Sequence, residues 1–269
     1  MYKLISQLLT NEGITCFAPI LLRHCTVKKK YLLEKAGISN GTAIIMAVPY
    51  FTPYCIGSSV SAYTVSRDYH LFFSELFEKI LPILNEKFPE TRFAGFADHS
   101  PIAEVEAAAL AGLGVIGKNN LLIAEKYSSF VFLGELICDA ELPDAEPKSI
   151  RMCEGCGACT AKCPMKNGRE CLSYVSQKKG ELSPEEKAYI KEYGAVFGCD
   201  ICQLACPHTK KAIASKSIFT EIPFFKADAL PSPIADDINN MSDKEFSSRA
   251  YSWRGRECIL RNIELTKNN

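Results

Sequence analysis

The chain has 269 residues, and its 31 lysines and arginines balance 31 aspartates and glutamates, so the formal net charge is zero. A balanced chain has no overall field that attracts nucleic acid or an anionic membrane, so any such contact must come from local groups. The N-terminal residues lack a signal peptide, and no apolar stretch is long enough to span a bilayer. We therefore expect a cytoplasmic protein with no membrane partner.

The first half of the chain predicts mixed helices and strands. The apolar run 42–48 is typical of a buried strand. Apolar residues at helical spacing predict a helix over 68–88, which Pro82 is expected to kink or restart. Shorter apolar runs predict further strands at 93–97 and 130–138.

A glycine-rich loop, 110-LAGLGVIGKNNLL-122, lies between the last two predicted strands. Gly112, Gly114 and Gly117 spell the G-x-G-x-x-G of dinucleotide-binding proteins. That fingerprint needs a strand before the glycines and a helix after them. Here an alanine- and glutamate-rich segment at 101–110 predicts a helix before the loop, and strand-like residues follow it. The loop therefore disfavours a nucleotide site, and Gly112 is better explained as a helix C-cap.

Cysteines give the strongest signal, since eight of the 13 lie within 54 positions. In a reducing compartment such clustering indicates metal ligation rather than disulfides. The run 153-CEGCGACTAKCP-164 matches the bacterial ferredoxin pattern, in which three thiolates hold one cluster and the fourth reaches the other. A second run, 199-CDICQLACP-207, is one cysteine short, and Cys171 can complete it.

The ferredoxin crossover assigns these thiolates to two [4Fe–4S] clusters. The first is held by Cys153, Cys156, Cys159 and Cys206. The second is held by Cys163, Cys171, Cys199 and Cys202. Zinc also takes four thiolates and is the alternative, although zinc sites seldom repeat three close cysteines and a Cys-Pro pair.

Composition divides the chain into three parts. Residues 140–149, rich in proline and acidic residues, indicate a linker that closes a first domain at 1–148. The cysteine module occupies 149–215, and 216–269 predicts a helical tail. We expect an α+β protein: an N-terminal α/β domain, a bacterial ferredoxin-like double-cluster domain and a short helical tail.

The chain resembles the epoxyqueuosine reductases, a cobalamin-dependent iron–sulfur family of tRNA queuosine synthesis that is related in design to reductive dehalogenases. The segments that carry the resemblance are SRDYH (66–70), ADHSP (97–101), AGLGVIGKNNLLI (111–123), FLGELICDAELP (132–143), RECLSYVSQKKG (169–180), FGCDICQLACPHTK (197–210) and SDKEFSSRAYSWRGRECILRN (242–262). In this pattern the glycine-rich loop borders a corrinoid rather than a nucleotide, and the first domain binds cobalamin and substrate.

The resemblance also implies site residues. Asp98 stands where the family keeps its proton-donating acid. Positions expected near the cobalamin or substrate are Asp68, Tyr69, His70, Lys118, Leu122, Ser173, Lys179 and Asp200. A reduced corrinoid can deliver electrons to a C–O bond, and the departing oxygen then needs a proton. We expect desolvation to raise the pKa of Asp98 so that it donates this proton at neutral pH. The residues alone favour a different role for Asp98, as an N-terminal cap of the helix that follows it, and the resemblance favours catalysis.

Some positions depart from the family pattern. The family carries an arginine about seven residues after its acid, where this chain has Val105. The chain also ends at Asn269, about where the family's helical-repeat domain begins, so we expect a short form without the domain that helps to hold tRNA.

Three functions stay open. The first is reduction of epoxyqueuosine to queuosine in tRNA, with electrons from a low-potential donor such as ferredoxin or flavodoxin. The second is reductive cleavage of another small-molecule substrate by the same machinery, which Val105 allows. The third is an electron-transfer or corrinoid-handling iron–sulfur protein without chemistry of its own.

Overall fold

The computed structural model describes residues 1–165 and 170–267. The strands are β1 (Phe17–Leu21), β2 (Thr42–Pro49), β3 (Phe93–Phe96), β4 (Gly114–Ile116), β5 (Leu122–Ala124) and β6 (Val131–Cys138). The α-helices are α1 (Tyr2–Asn11), α2 (Lys30–Ala36), α3 (Tyr69–Lys87), α4 (Glu104–Leu110), α5 (Ala158–Lys162), α6 (Leu172–Ser176), α7 (Pro184–Tyr193), α8 (Ile201–Ala205), α9 (Pro207–Ala214), α10 (Pro223–Lys226), α11 (Ala235–Asn240), α12 (Asp243–Ser247) and α13 (Arg256–Thr266). Short 3-10 helices occupy Leu22–His24, Pro53–Cys55, Ala62–Thr64 and Ser252–Arg254.

The main sheet has four strands in the order β1-β2-β6-β3, and all three pairings are antiparallel. The strands predicted at 42–48, 93–97 and 130–138 are confirmed as β2, β3 and β6. The protein is therefore a mixed helix and strand fold. Its first part was expected to be α/β, yet its sheet is antiparallel, because apolar periodicity indicates where strands lie but not their direction.

Helix α3 packs across this sheet. Asp68 begins it, accepting a hydrogen bond from the His70 backbone N–H at 2.9 Å. Pro82 lies inside the helix, which continues to Lys87 as one element, so the expected restart does not occur. The rings of Phe73 and Phe77 lie where side chains on Gly134 and Gly95 would be, since an added Cβ would come within 2.3 and 2.4 Å of them. These two glycines let the helix approach the sheet closely.

The predicted parts share apolar contacts. One hydrophobic cluster contains Ile44, Phe197 and Ile259, which come from the three predicted ranges in turn. The predicted linker at 140–149 has no regular secondary structure, yet its Ala145 is buried and accepts a hydrogen bond from the Leu21 N–H at 2.9 Å. The division into domains stays a prediction.

Helices form most of the chain after residue 216, as expected for the tail, whose last two residues lie outside the described ranges. Arg169, which begins the segment 169–180 of the family resemblance, also lies outside them. Within residues 1–165 and 170–267, no helix is both long enough and apolar enough to cross a membrane.

Candidate active site

A cavity of about 760 Å³ opens at the start of α3. Its walls include the aromatic rings of Tyr50, Tyr63, Tyr69, Phe132 and Trp253. Its polar lining includes Asp68, His70, Asp98, Glu104, Gln177 and Gln203. Apolar walls with a few convergent polar groups, at this volume, are typical of small-molecule and cofactor sites. The structure thus brings together four of the predicted site residues, Asp68, Tyr69, His70 and Asp98.

His70 lies between two aspartates at the edge of this cavity. Its Nδ1 lies 2.8 Å from Asp68 Oδ1, and its Nε2 lies 3.6 Å from Asp98 Oδ2. The hydrogen bonds to Asp68 and then to Asp98 raise the pKa of His70 to about 9. At neutral pH the imidazole therefore carries a proton and a positive charge.

The expectation that desolvation raises the pKa of Asp98 is wrong. The hydrogen bond from His70 lowers the pKa of Asp98, and the opposing effect of burial is smaller. Burial has little effect on this pKa because 66% of the Asp98 side chain is exposed. The available proton of this group resides on His70, with Asp98 ionised beside it.

The backbone at Asp98 is strained. Its φ is +60°, and the His99 N–H donates to the Ala97 carbonyl at 2.6 Å, which closes a tight three-residue turn centred on Asp98. Residues held in sparsely populated backbone conformations cluster at active sites. Asp98 is not the cap of α4, because the N-cap of that helix is Ala103. The capping alternative is therefore wrong.

Two glutamates that the sequence patterns did not single out lie behind Asp98. Glu104 Oε1 accepts a hydrogen bond from the Asp98 backbone N–H at 3.1 Å. Glu135 lies in β6 with none of its surface exposed. Burial raises the pKa of both groups, and the charge of Glu104 raises the pKa of Glu135 further. A signal was present in the sequence, since Glu135 is the single charged residue of an apolar run and charged residues are seldom fully buried without a partner.

The raised pKa of His70 predicts a pH-dependent stability. A group whose folded pKa lies above its unfolded value of 6.5 stabilises the fold fully below that pH, and the contribution is lost as the pH rises through about 9. Because 51% of the side chain is exposed, solvent screening reduces the effect to about 1 kcal/mol. Chemical denaturation of the wild type and His70→Asn across this range should show the stability difference shrinking as the pH rises. A constant difference would contradict the charged pair.

A second cavity, of about 390 Å³, lies in the cysteine module. Its lining includes the four thiols that the ferredoxin crossover assigns to the first cluster: Cys153, Cys156, Cys159 and Cys206. Gly155 and Gly157, with φ of +68° and +77°, turn the chain tightly around it. Among the described residues no group of three or more His, Cys, Asp or Glu side chains is placed to hold a single metal ion. Four thiols around a cavity of this volume fit a cluster.

The remaining four thiols lie near one another. Burial raises the pKa of Cys199 to about 12, and Cys171 and Cys202 add to that rise through their charges. Cys163 acts in the same way on Cys202. The assignment of these thiols to a second cluster stays a prediction.

Lys118 lies away from the large cavity. It lines the cysteine cavity instead, beside Asn119, whose Nδ2 lies 4.0 Å from the Cys202 Sγ. Leu122 is buried in β5, and Lys179 is exposed. From the loop that carries Lys118, Leu121 lines the larger cavity.

Ser173 and Asp200 stand behind two glutamines that line the large cavity. Ser173 Oγ accepts a hydrogen bond from Gln177 Nε2 at 3.1 Å. Asp200 accepts from Gln203 Nε2 at 2.9 Å and from Ser61 Oγ at 2.6 Å. Both residues therefore orient cavity side chains.

No family model matches the chain. The chain is 32% identical over 237 residues to the epoxyqueuosine reductase of Lactococcus garvieae, covering 82% of this chain and 64% of that protein. It is 32% identical over 218 residues to that of Cyclobacterium marinum, covering 78% and 69%. For the Escherichia coli protein the identity is 32% over 225 residues, covering 78% and 57%. The chain thus spans between 57% and 69% of the length of these relatives.

Solved structures share the fold. An epoxyqueuosine reductase from Streptococcus thermophilus matches with a TM-score of 0.71 at 21% identity, covering 98% of this chain and 80% of that one. An epoxyqueuosine reductase solved with an epoxyqueuosine-modified tRNA-Tyr stem loop matches with a TM-score of 0.73 at 23% identity, covering 98% and 80%.

Proposed function

Because this chain belongs to the epoxyqueuosine reductase family, we propose that it is an oxidoreductase that reduces the epoxide of epoxyqueuosine in tRNA to the alkene of queuosine. The observation that carries the proposal is the Asp68–His70–Asp98 group, which lies at the wall of a cofactor-sized cavity in a chain that also holds eight clustered cysteines. The solved relative with an epoxyqueuosine-modified stem loop supports tRNA as the substrate.

The reaction removes one oxygen atom. Two electrons and two protons enter, both carbon–oxygen bonds of the epoxide break, and the oxygen leaves as water. An external low-potential donor of the ferredoxin or flavodoxin type supplies the electrons. The protein must therefore hold the epoxide, exclude bulk water and provide two protons at the oxygen.

The residues present fit the expected cofactors. The aromatic walls of the large cavity, Tyr50, Tyr69 and Phe132 among them, would hold cobalamin, and the eight thiols would hold two [4Fe–4S] clusters. Bound cobalamin would supply the low-potential centre for C–O cleavage, while the clusters would carry electrons to it. The aromatic rings stack on one another, Tyr50 on Phe132 at 4.1 Å and Tyr69 on Phe132 at 4.3 Å between centroids, which fixes that wall.

The first proton comes from the His70–Asp98 pair. His70 carries it at neutral pH, and the Asp98 carboxylate, held in its turn, lines the cavity beside the imidazole. Transfer from His70 Nε2 to Asp98 Oδ2 and on to the epoxide oxygen protonates that oxygen as the donor's electrons break the first C–O bond, so no free alkoxide is left. Asp68 holds the opposite ring nitrogen and so orients the imidazole.

A second candidate function is reductive cleavage of a different small substrate. Val105 favours it, because this residue packs against an apolar cluster where the family pattern has arginine. No positive charge is then available from that position to bind the same substrate.

The proposed function can be tested with protein that is purified and assayed without oxygen. Protein purified without oxygen should contain iron, sulfide and cobalt, and should convert an epoxyqueuosine-containing anticodon stem loop to the queuosine form, seen by mass spectrometry as loss of one oxygen. Zinc in place of iron would overturn the cofactor assignment. Loaded protein that leaves the stem loop unchanged under low-potential reductant would overturn the substrate.

A further inference from the structure

Glu135 is the most unusual charged residue of the sheet. It lies in the central strand β6, paired with Ile45 of β2 on one side and Phe96 of β3 on the other. None of its surface is exposed, and within the described residues neither carboxyl oxygen has a hydrogen bond of normal geometry. Burying an ionised carboxylate in this way would cost roughly several kcal/mol of folding free energy, so the Glu135 carboxyl group must stay neutral.

Glu104 lies between Glu135 and the cavity. Its side chain lines the large cavity, and its Oε1 is held by the Asp98 backbone N–H at 3.1 Å. The charge of Glu104 raises the pKa of Glu135, and a contact between the two side chains raises the pKa of Glu135 further while it lowers that of Glu104, so the two carboxyl groups are neighbours. Two adjacent buried carboxylates do not both ionise, and such a pair keeps one proton between them.

The proposed reaction consumes two protons, and His70 with Asp98 provides one. We infer that Glu104 and Glu135 share one proton at neutral pH and form the second proton donor of the site, with Glu104 as the group that delivers it. This inference rests on the proposed function. It assigns a task to a buried acid that the first transfer does not use.

The second transfer balances as follows. The donor's two electrons and the first proton break the first C–O bond, so the epoxide oxygen becomes a hydroxyl and the electron pair stays on the carbon that it left. Glu104 gives its proton to that hydroxyl, the remaining C–O bond breaks, and water leaves as the alkene forms. The two electrons come from the low-potential ferredoxin or flavodoxin donor. The pair, now without its proton, regains one from solvent through the cavity that Glu104 lines.

Other polar groups around the pair set its environment. Asp98 and Lys29 act on Glu104, and Ser100 faces Glu135. Glu104 in turn acts on Tyr69, and Glu135 acts on Cys25. Lys29 is the cation among these groups. Its charge lowers the pKa of Glu104 and not that of Glu135, so Glu135 stays protonated.

Infrared spectroscopy of the full-length protein tests the shared proton directly. At neutral pH the wild type should show a protonated carboxylic acid band that shifts in D₂O and is lost in Glu135→Gln. Glutamine keeps the size of the side chain and is neutral, so the fold should persist. Glu106→Gln, a change of a nearby glutamate on the same helix as Glu104, is the matched control and should keep the band.

Turnover tests the donor role. Glu104→Gln and Glu135→Gln should each lower kcat roughly 10²-fold or more, with KM and metal content unchanged, whereas Glu106→Gln should keep kcat. A band that survives in Glu135→Gln overturns the shared proton. A wild-type rate in Glu135→Gln overturns the donor role while the proposed function stands. An intact band in a wild type that never converts the stem loop overturns the proposed reaction, and the donor role falls with it.

Discussion

Asp98→Asn is expected to lower the rate of epoxide reduction roughly 10²- to 10⁴-fold, the usual range for loss of a general acid. Asparagine tolerates a positive φ and keeps the size of the side chain, so the strained turn persists. The amide cannot relay a proton from His70, and it removes the negative charge that raises the pKa of His70. Single-turnover assays with the stem-loop substrate measure the effect, and cobalt and iron contents show that the cofactors remain.

Asp144→Asn is the matched control for this change. Asp144 has the same φ of +60° but is exposed in the segment 140–149, so its variant should keep the wild-type rate. A variant at Asp98 that turns over at the wild-type rate would remove this residue from the reaction. A variant at Asp98 that fails to retain cobalt would show a binding role instead.

Loss of a cluster thiol is expected to lower the reduction rate at least as much as Asp98→Asn. Cys153→Ser and Cys206→Ser should each remove about half of the iron and sulfide, because both side chains line one cavity although 52 positions separate them in the chain. Without this cluster, electrons cannot be transferred to the substrate, and turnover should fall below detection. The measurement is iron and sulfide content of anaerobically purified variants, with electron paramagnetic resonance of the reduced protein.

The pairing of cysteines can be tested with double variants. Cys153→Ser/Cys206→Ser should lose no more iron than either single change, whereas Cys153→Ser/Cys202→Ser should lose both clusters. Cys16→Ser, a half-buried cysteine outside the module, serves as the control and should keep full iron content. If the first double variant loses all its iron, the two thiols serve different clusters and the ferredoxin crossover is wrong for this chain.

Local patterns were sufficient for several elements of the fold. The run 42–48 has the continuous apolar character of a strand covered on both faces, and all eight residues of β2 are buried. Strand order and direction were not available in this way, because they depend on contacts between segments far apart in the chain. The apolar cluster that Ile44, Phe197 and Ile259 share could not be predicted either, because these residues are far apart in the chain.

The candidate site shows the same division. Asp68 and His70 are two positions apart at the start of a predicted helix, so their proximity followed from the sequence. The ionisation of Asp98 did not, because it depends on His70 reaching across from another element. Glu104 and Glu135 are 31 positions apart and meet only because α4 packs on the sheet beside β6. The placement of Lys118 likewise depended on where the β4–β5 turn points.

That turn between β4 and β5 has one side toward each cavity. Lys118 and Asn119 face the thiols, and Leu121 faces the larger chamber. The two compartments thus share a partition only a few residues thick, held at both ends by strand pairing. Adding a residue to it would push the chambers apart, whereas exchanging one side chain for another would not. Among natural variants of this protein, the partition should therefore differ in composition but keep a fixed length.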